Sequence, residues 1–585
     1  WLKGINTTNL GATNDMGGDG QVQNSIPKDE LGFSLNYFNG DYASIKEGAG
    51  VTAFPEHTQA AGITNGLANA AYRPLYNGNI SSMAVNINKL TVPDAAGTGT
   101  TSGAILYNYT YDQLNRLTAM DAYKGLGPAN NSWANMISLD HYKEQVTYDG
   151  NGNILTYKRN GNKSSQQTMD DLGYVYNYHT SGVLNGKLKN NQLKQVTDAI
   201  GNTAAYDETD PASGVSDIES QGVGNYAYDS IGNLIKDVKE RIELINWNVY
   251  GKISDINFYV AANKIKKITY GYDASGNRIS KIVEKYGASG TSTASSEYTW
   301  YARDASGNVM GVYHSSGSAN VLPATLNVTE RHMYGSSRLG ILTEVKDSRQ
   351  LKTQAATLPY LSNFIRGNKV FELSNHLGNV LATVSDRKFG VDDGVYGFIC
   401  GPCALDLEDN LMCPPCTVTK NSNDPDGEID YYQAEVISAN DYYPFGMMMP
   451  GRKYSATNGH RYGFNGKEND SEVKGEGNQQ DYGERIYDPR ISKFLSIDPV
   501  IAEFSWYSPY LFAGNNPVYY VDKRGLTEDP APPKVDVMLR WGFRDFHKAF
   551  VSANNTSPKN LNDWARGRSN SDKQVLGTVG EALFY

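Results

Sequence analysis

Four short segments decide the fold: YDQLNRL (111–117), YDGNGNI (148–154), YDSIGNL (228–234) and YDASGNR (272–278). In each, a strand-like run ends at Tyr-Asp, a few residues rich in Gly and Asn reverse the chain, and a second run begins. The flanks ILYNYTYD (105–112), EQVTYD (144–149), GNYAYD (224–229) and KITYGYD (267–273) alternate with the period of two that marks a half-buried strand. A degenerate copy, RDASGNV (303–309), follows, and NHLGNV (375–380) shares its ending. One such hairpin cannot bury its apolar face alone, whereas repetition joins hairpins into a long sheet. Copies lie 31 to 80 residues apart, which predicts an irregular series with insertions rather than a strict solenoid.

Composition agrees with that reading. The 585 residues include 59 Gly and 41 Tyr but only 17 Phe. Gly and Asn supply the positive-φ turns of hairpins, and Tyr suits a strand face with one polar end. A length beyond the roughly 250–300 residues that one core supports calls for several domains or one repetitive architecture, and the repeats favour the second. A net charge of −10 and a pI near 5.4 argue against nucleic-acid wrapping by the chain as a whole. No run approaches the roughly 20 apolar residues of a membrane span. The opening Trp1-Leu2-Lys3-Gly4 is no signal peptide and reads as mid-strand sequence from a longer parent.

With these repeats the chain resembles the Rhs/YD-repeat proteins: bacterial Rhs toxins, the B and C components of Tc toxin complexes, and teneurin shells. The likeness sharpens in DYYPFGMMMPGR (441–452), RYGFNGKE (461–468), DYGERIYDPR (481–490), FLSIDP (494–499) and YLFAGNNPVYYVDKRGL (510–526), which are similar to an Rhs repeat-associated core domain. The resemblance implies an all-β fold, a hairpin ribbon spiralling into a hollow cocoon and plugged by the core domain. Its organisation would be 1–100 as the N-terminal shell, 101–395 as the YD-repeat shell, 396–430 as an inserted loop, 431–526 as the core domain, and 527–585 as the start of a variable cargo segment. That last segment opens with Pro-rich residues 529–533 and changes to helical periodicity around 537–551 and 572–584. The implied role is a secreted or cell-surface bacterial shell that encloses and delivers a toxic C-terminal effector. Implied partners are its own cargo, a secretion machinery, and a target-cell surface or immunity protein. The rival class is a surface adhesin that binds glycan or protein through its aromatic face and delivers nothing.

Cys400, Cys403, Cys413 and Cys416 form two CxxC pairs within the insertion. Two disulfides are the expectation for an exported protein, with a four-thiolate structural zinc as the alternative and no other cofactor. The eight histidines, among them His57, His141, His376, His460 and His547, show no metal-ligand spacing and are read as hydrogen-bonding residues. Asp112, Asp149, Asp229 and Asp273 supply one carboxylate per turn, too few for calcium and suited to Asx-type turn bonds.

The resemblance also implies a chemistry. In toxin-bearing relatives, two core aspartates form an aspartyl-protease-like pair that cuts the chain once after a terminal Gly-Leu. The matching positions are Asp498 in Ser-Ile-Asp-Pro and Asp522 in Val-Asp-Lys-Arg-Gly-Leu, with the break at Leu526–Thr527. Two close carboxylates share a proton and so divide base and acid roles. This chain departs from the pattern at Val500-Ile501, where a Gly is common, and at Lys523-Arg524, where a Pro-containing turn is usual. The competing reading makes both aspartates structural, held as ion pairs by the nearby Arg490 and Lys493.

Overall fold

The computed structural model describes residues 2–10, 26–38, 73–93, most of 100–392, the short strands within 395–421, and most of 429–530. Residues Leu2–Ala531 form one compact unit, and within it the fold is all-β. A nine-stranded sheet runs from Gly4–Ile5 to Leu188–Asp198, and a fifteen-stranded sheet from Tyr226–Tyr228 to Tyr431–Tyr442 and its neighbours. Strand order follows chain order almost throughout, and pairing is antiparallel, as a succession of hairpins dictates. The exception joins the sheets. Pro27–Lys28 lies parallel to Tyr432–Gln433 of the larger sheet, and the chain then enters Leu31–Asn36 of the smaller one. At the other junction Gln221 N–H donates to the Val196 carbonyl at 2.9 Å.

The physical content of Tyr-Asp is now visible. Asp149 Oδ1 accepts the N–H groups of Asn151 and Asn153 at 2.9 and 2.8 Å, and its Oδ2 accepts Asn153 Nδ2 at 2.8 Å. The same bonds recur at Asp229–Asn233, Asp273–Asn277 and Asp304–Asn308. Each carboxylate thus closes its own turn. The tyrosine does something else. Hairpin register slips just after the Tyr-Asp step: the first residue of the returning strand pairs with the tyrosine, and the second (Leu155, Ile235 or Ile279) is skipped as a bulge. The carbonyl of the first residue is capped by an aromatic from the next repeat: Tyr148 hydroxyl on Leu117, Tyr176 on Ile154, Tyr272 on Ile253, Tyr334 on Val309. Trp247 Nε1 takes the role at Leu234, and Arg303 Nε at Arg278. A hydrogen-bonded rung therefore ties each of these six hairpins to the next.

Residues 461–522 pack against strands and turns of both sheets. Side chains from Leu31 to Val518 belong to a single hydrophobic cluster, so the segments 1–100, 101–395 and 431–526 share one core. Within it Tyr482, Tyr487, Phe494 and Phe512 form an aromatic group, with Tyr487 and Phe512 stacked at 4.2 Å between centroids and the other pairs tilted or edge-on. Buried ion pairs clip this segment to the strands: Arg278 to Asp470 through two bonds of 2.8 Å, Lys474 to Asp237 and Asp488, and Arg490 to Glu240. Other bonds reach the hairpin turns themselves. Tyr510 hydroxyl donates to Gly232, Asn515 Nδ2 to Gly152, Ser508 N–H to Asn151, and Lys252 Nζ to Gly483. The rim of repeat turns thereby holds the loops between 483 and 516.

Candidate active site

Three loops meet at this rim. The first carries Arg485, which precedes the strand Ile486–Asp488 and lays its guanidinium over the Phe494 ring at 3.7 Å. The second carries Asp498, whose N–H donates to the Pro509 carbonyl at 3.0 Å and whose Oδ1 accepts Val500 N–H at 3.0 Å. The third begins at Asp522, the last residue of the strand Tyr520–Asp522, which pairs with Glu528–Pro530 in a hairpin. Asp522 Oδ1 accepts the N–H groups of Gly525 at 2.5 Å and Leu526 at 3.1 Å.

Arg485 joins the aspartates. Its Nη2 lies 3.0 Å from Asp498 Oδ2 and 3.1 Å from Asp522 Oδ2. Side-chain exposure is 2% for Arg485, 3% for Asp522 and 15% for Asp498, so the triad is largely desolvated. Burial raises both carboxyl pKa values, and the Arg485 charge and backbone N–H groups oppose that rise. Burial likewise lowers the Arg485 pKa. Two carboxylates against one guanidinium leave one excess negative charge when both are ionised, which works with burial to favour the protonated form of a carboxyl.

The remaining surroundings grip the backbone around Gly525. Arg485 Nε donates to the Gly525 carbonyl at 2.5 Å and Nη1 to Pro509 at 3.2 Å. Gly525 has φ +74°, and a Cβ there would sit 3.0 Å from Arg485 N and 3.2 Å from Tyr482 Cβ, so only glycine fits the turn. A cavity of about 30 Å³, bounded by both aspartates, Ile501, Phe504, Leu511 and Leu526, has room for water beside Leu526.

The sequence-derived positions Asp498, Asp522 and Leu526 are thus brought together, while Thr527 lies outside the described residues. The expected ion-pair partners are corrected. Arg490 is committed to Glu240 and Asp488 at 2.8 and 3.4 Å, and Lys493 lies over the Tyr176 ring at 5.2 Å. Arg485, which sequence reasoning passed over, occupies the position assigned to them. Its signal was present in DYGERIYDPR, but nothing local separates it from two neighbouring cations. His376 Nε2 donates to the Val518 carbonyl at 2.9 Å, and His460 pairs with Glu372 at 2.7 Å. Cys400, Cys403, Cys413, Cys416, His57 and His547 fall outside the described residues.

No protein-family model matches the chain. Salivary gland surface protein 1 of Aedes aegypti is 36% identical over 96 residues, which is 16% of this chain and 3% of that protein. Among solved structures, a Photorhabdus luminescens Tc holotoxin pore aligns at 14% identity and TM-score 0.46, covering 88% of this chain and 19% of its own. A TcdB2–TccC3 crystal structure aligns at 14% identity and TM-score 0.33, covering 85% and 24%. The chain therefore spans a small fraction of each protein that it matches.

Proposed function

We propose that this chain is the plugged part of an Rhs/YD-repeat shell that encloses its own C-terminal segment as cargo and frees it by one internal chain break. The observation that carries this reading is the sharing of Arg485 by Asp498 and Asp522 while Asp522 holds the N–H of Leu526. Asp522, with two backbone donors and the guanidinium, is the carboxylate that stays ionised and acts as base. Asp498, with one fewer donor, carries the shared proton and acts as acid. Water attacks the Leu526 carbonyl carbon and gives a proton to Asp522. The C–N bond then breaks, and Asp498 protonates the Thr527 nitrogen. The break occurs once, in cis, and leaves residues 527 onward detached. In this reading the shell is a secreted or cell-surface bacterial product, with a secretion machinery and a target-cell surface or immunity protein as further partners.

Denaturing mass analysis of the expressed full chain tests the proposal. The expected result is a product ending at Leu526, absent from Asp498→Asn and Asp522→Asn. A wild-type chain that stays intact through residue 585 would leave a shell without protease chemistry.

A further inference from the structure

The turn that bears the bond is held by more than the triad. Three successive carbonyls each meet one donor: Lys523 meets Lys467 Nζ, Arg524 meets Glu484 N–H at 2.9 Å, and Gly525 meets Arg485 Nε. The next carbonyl along is that of Leu526. Two of these donors come from the block that carries Arg485. The third, Lys467, arrives from a separate turn and is the one flexible, titratable ammonium among them. Its own backbone is fixed, because Lys467 N–H donates to Phe464 and its carbonyl accepts Gly463 N–H, each at 3.0 Å. That turn is in turn pinned to the sheet, where Gly463 accepts Val380 N–H at 3.1 Å and Gly466 accepts Arg338 Nη2 at 3.0 Å. The ammonium also lies 4.9 Å from the Tyr482 ring centroid.

We propose that Lys467 is a positioning residue for the chain break: its ammonium grips the Lys523 carbonyl and keeps the 523–526 turn seated on Asp522. The inference rests on the reading of Asp498 and Asp522 given above. A turn displaced by about 1 Å costs on the order of 100-fold in a reaction that depends on alignment, and Lys467 tethers the end of the turn opposite Asp522's two N–H bonds. The groups that face this ammonium are the Asp481 and Asp522 carboxylates, the Arg338 guanidinium and the Tyr482 ring. Burial outweighs the two carboxylates and brings the Lys467 pKa down to about 8, so the grip loosens in mildly alkaline solution.

The test uses the full chain, pulse-labelled by cell-free synthesis and shifted into buffers between about pH 6.5 and 9.5, a window that brackets an amine lowered by burial. The expected wild-type cleavage rate falls as pH rises through 8. Lys467→Met should cleave on the order of 10–100-fold more slowly, with that fall absent. Lys467→Arg should restore the rate and keep it through the alkaline range, because a guanidinium does not titrate there. A Lys467→Met chain with the wild-type rate and pH profile overturns the proposal while leaving the aspartate pair intact. A second measurement needs no cleavage at all. In an Asp498→Asn background, amide exchange at Gly525 and Leu526 should quicken with Lys467→Met and not with Lys467→Arg. Unchanged exchange overturns the role of Lys467, whereas faster exchange in a chain whose wild type never cleaves sinks the protease reading alone.

Discussion

Glu144 shows what single buried groups do in this molecule. It is 1% exposed, accepts one bond from the Tyr157 hydroxyl at 2.8 Å, and its pKa is pushed by burial from 4.5 up to about 8. At neutral pH the folded protein therefore holds this carboxyl protonated, while the unfolded chain ionises it. Folding takes up a proton, so this stability is fully present below about pH 4.5 and is lost as pH rises through 8. Glu144→Gln should raise the melting temperature at pH 8 by a few °C or more and leave it nearly unchanged at pH 5. Thermal melts at the two values decide it, and an equal gain at both would show that the carboxyl does not titrate on folding. The triad makes the same point in reverse. Asp498 and Asp522 were legible as a pair only through resemblance, and Arg485 was not legible at all, since burial and distance rather than spacing select it over Arg490 and Lys493.

At the scale of elements, the repeat hairpin is the unit, and its two letters act over different ranges. The aspartate works within five residues, which is why the turn could be read directly. The tyrosine works across to the preceding hairpin, with Tyr148 meeting a carbonyl 31 residues earlier, and no local pattern announces that acceptor. The inserted hairpin yields a second prediction of this kind. Strands Val395–Ile399 and Thr417–Asn421 pair with Ile399 opposite Thr417, and Ala404–Leu405 pairs with Leu411–Met412 with Ala404 opposite Met412. One register serves both ladders. Cys400, Cys403, Cys413 and Cys416 lie between these strands in the sequence, and two disulfides are the form expected of an exported protein. Non-reducing peptide mapping should find two cross-links among the four cysteines. Four free thiols alongside one equivalent of zinc would exclude that form.

Across the whole unit, residues 461–522 are attached to the sheets through buried charge as well as apolar packing. Arg278 and Asp470 are 1% and 0% exposed at the side chain and are joined by two bonds, with Lys281 also on the carboxylate at 3.3 Å. The neighbouring cations hold the Asp470 pKa below its ordinary value. Removing one partner of such a pair leaves a buried charge, at a cost of about 3–5 kcal/mol, whereas replacing both with apolar groups is far milder. Arg278→Met should therefore lower the urea midpoint sharply, and Arg278→Met with Asp470→Leu should recover most of the loss. Equal losses in the single and double variants would mean that packing rather than charge governs this contact.

The amino-acid sequence by itself determined the strand period, the position of each Asp-closed turn and the all-β class, because those depend on alternation and on bonds within a few residues. Resemblance added the names of two aspartates and a leucine. Only the tertiary structure decided that the hairpins are laced by aromatic rungs, that the two sheets join at both ends, and that the repeat turns hold the loops of residues 483–516. It also decided which cation stands between Asp498 and Asp522. These features share one physical cause. Each is a contact between groups far apart along the chain, chosen by the burial of charge and carbonyls against alternatives that look equivalent in sequence, and that choice exists only once the chain has closed on itself.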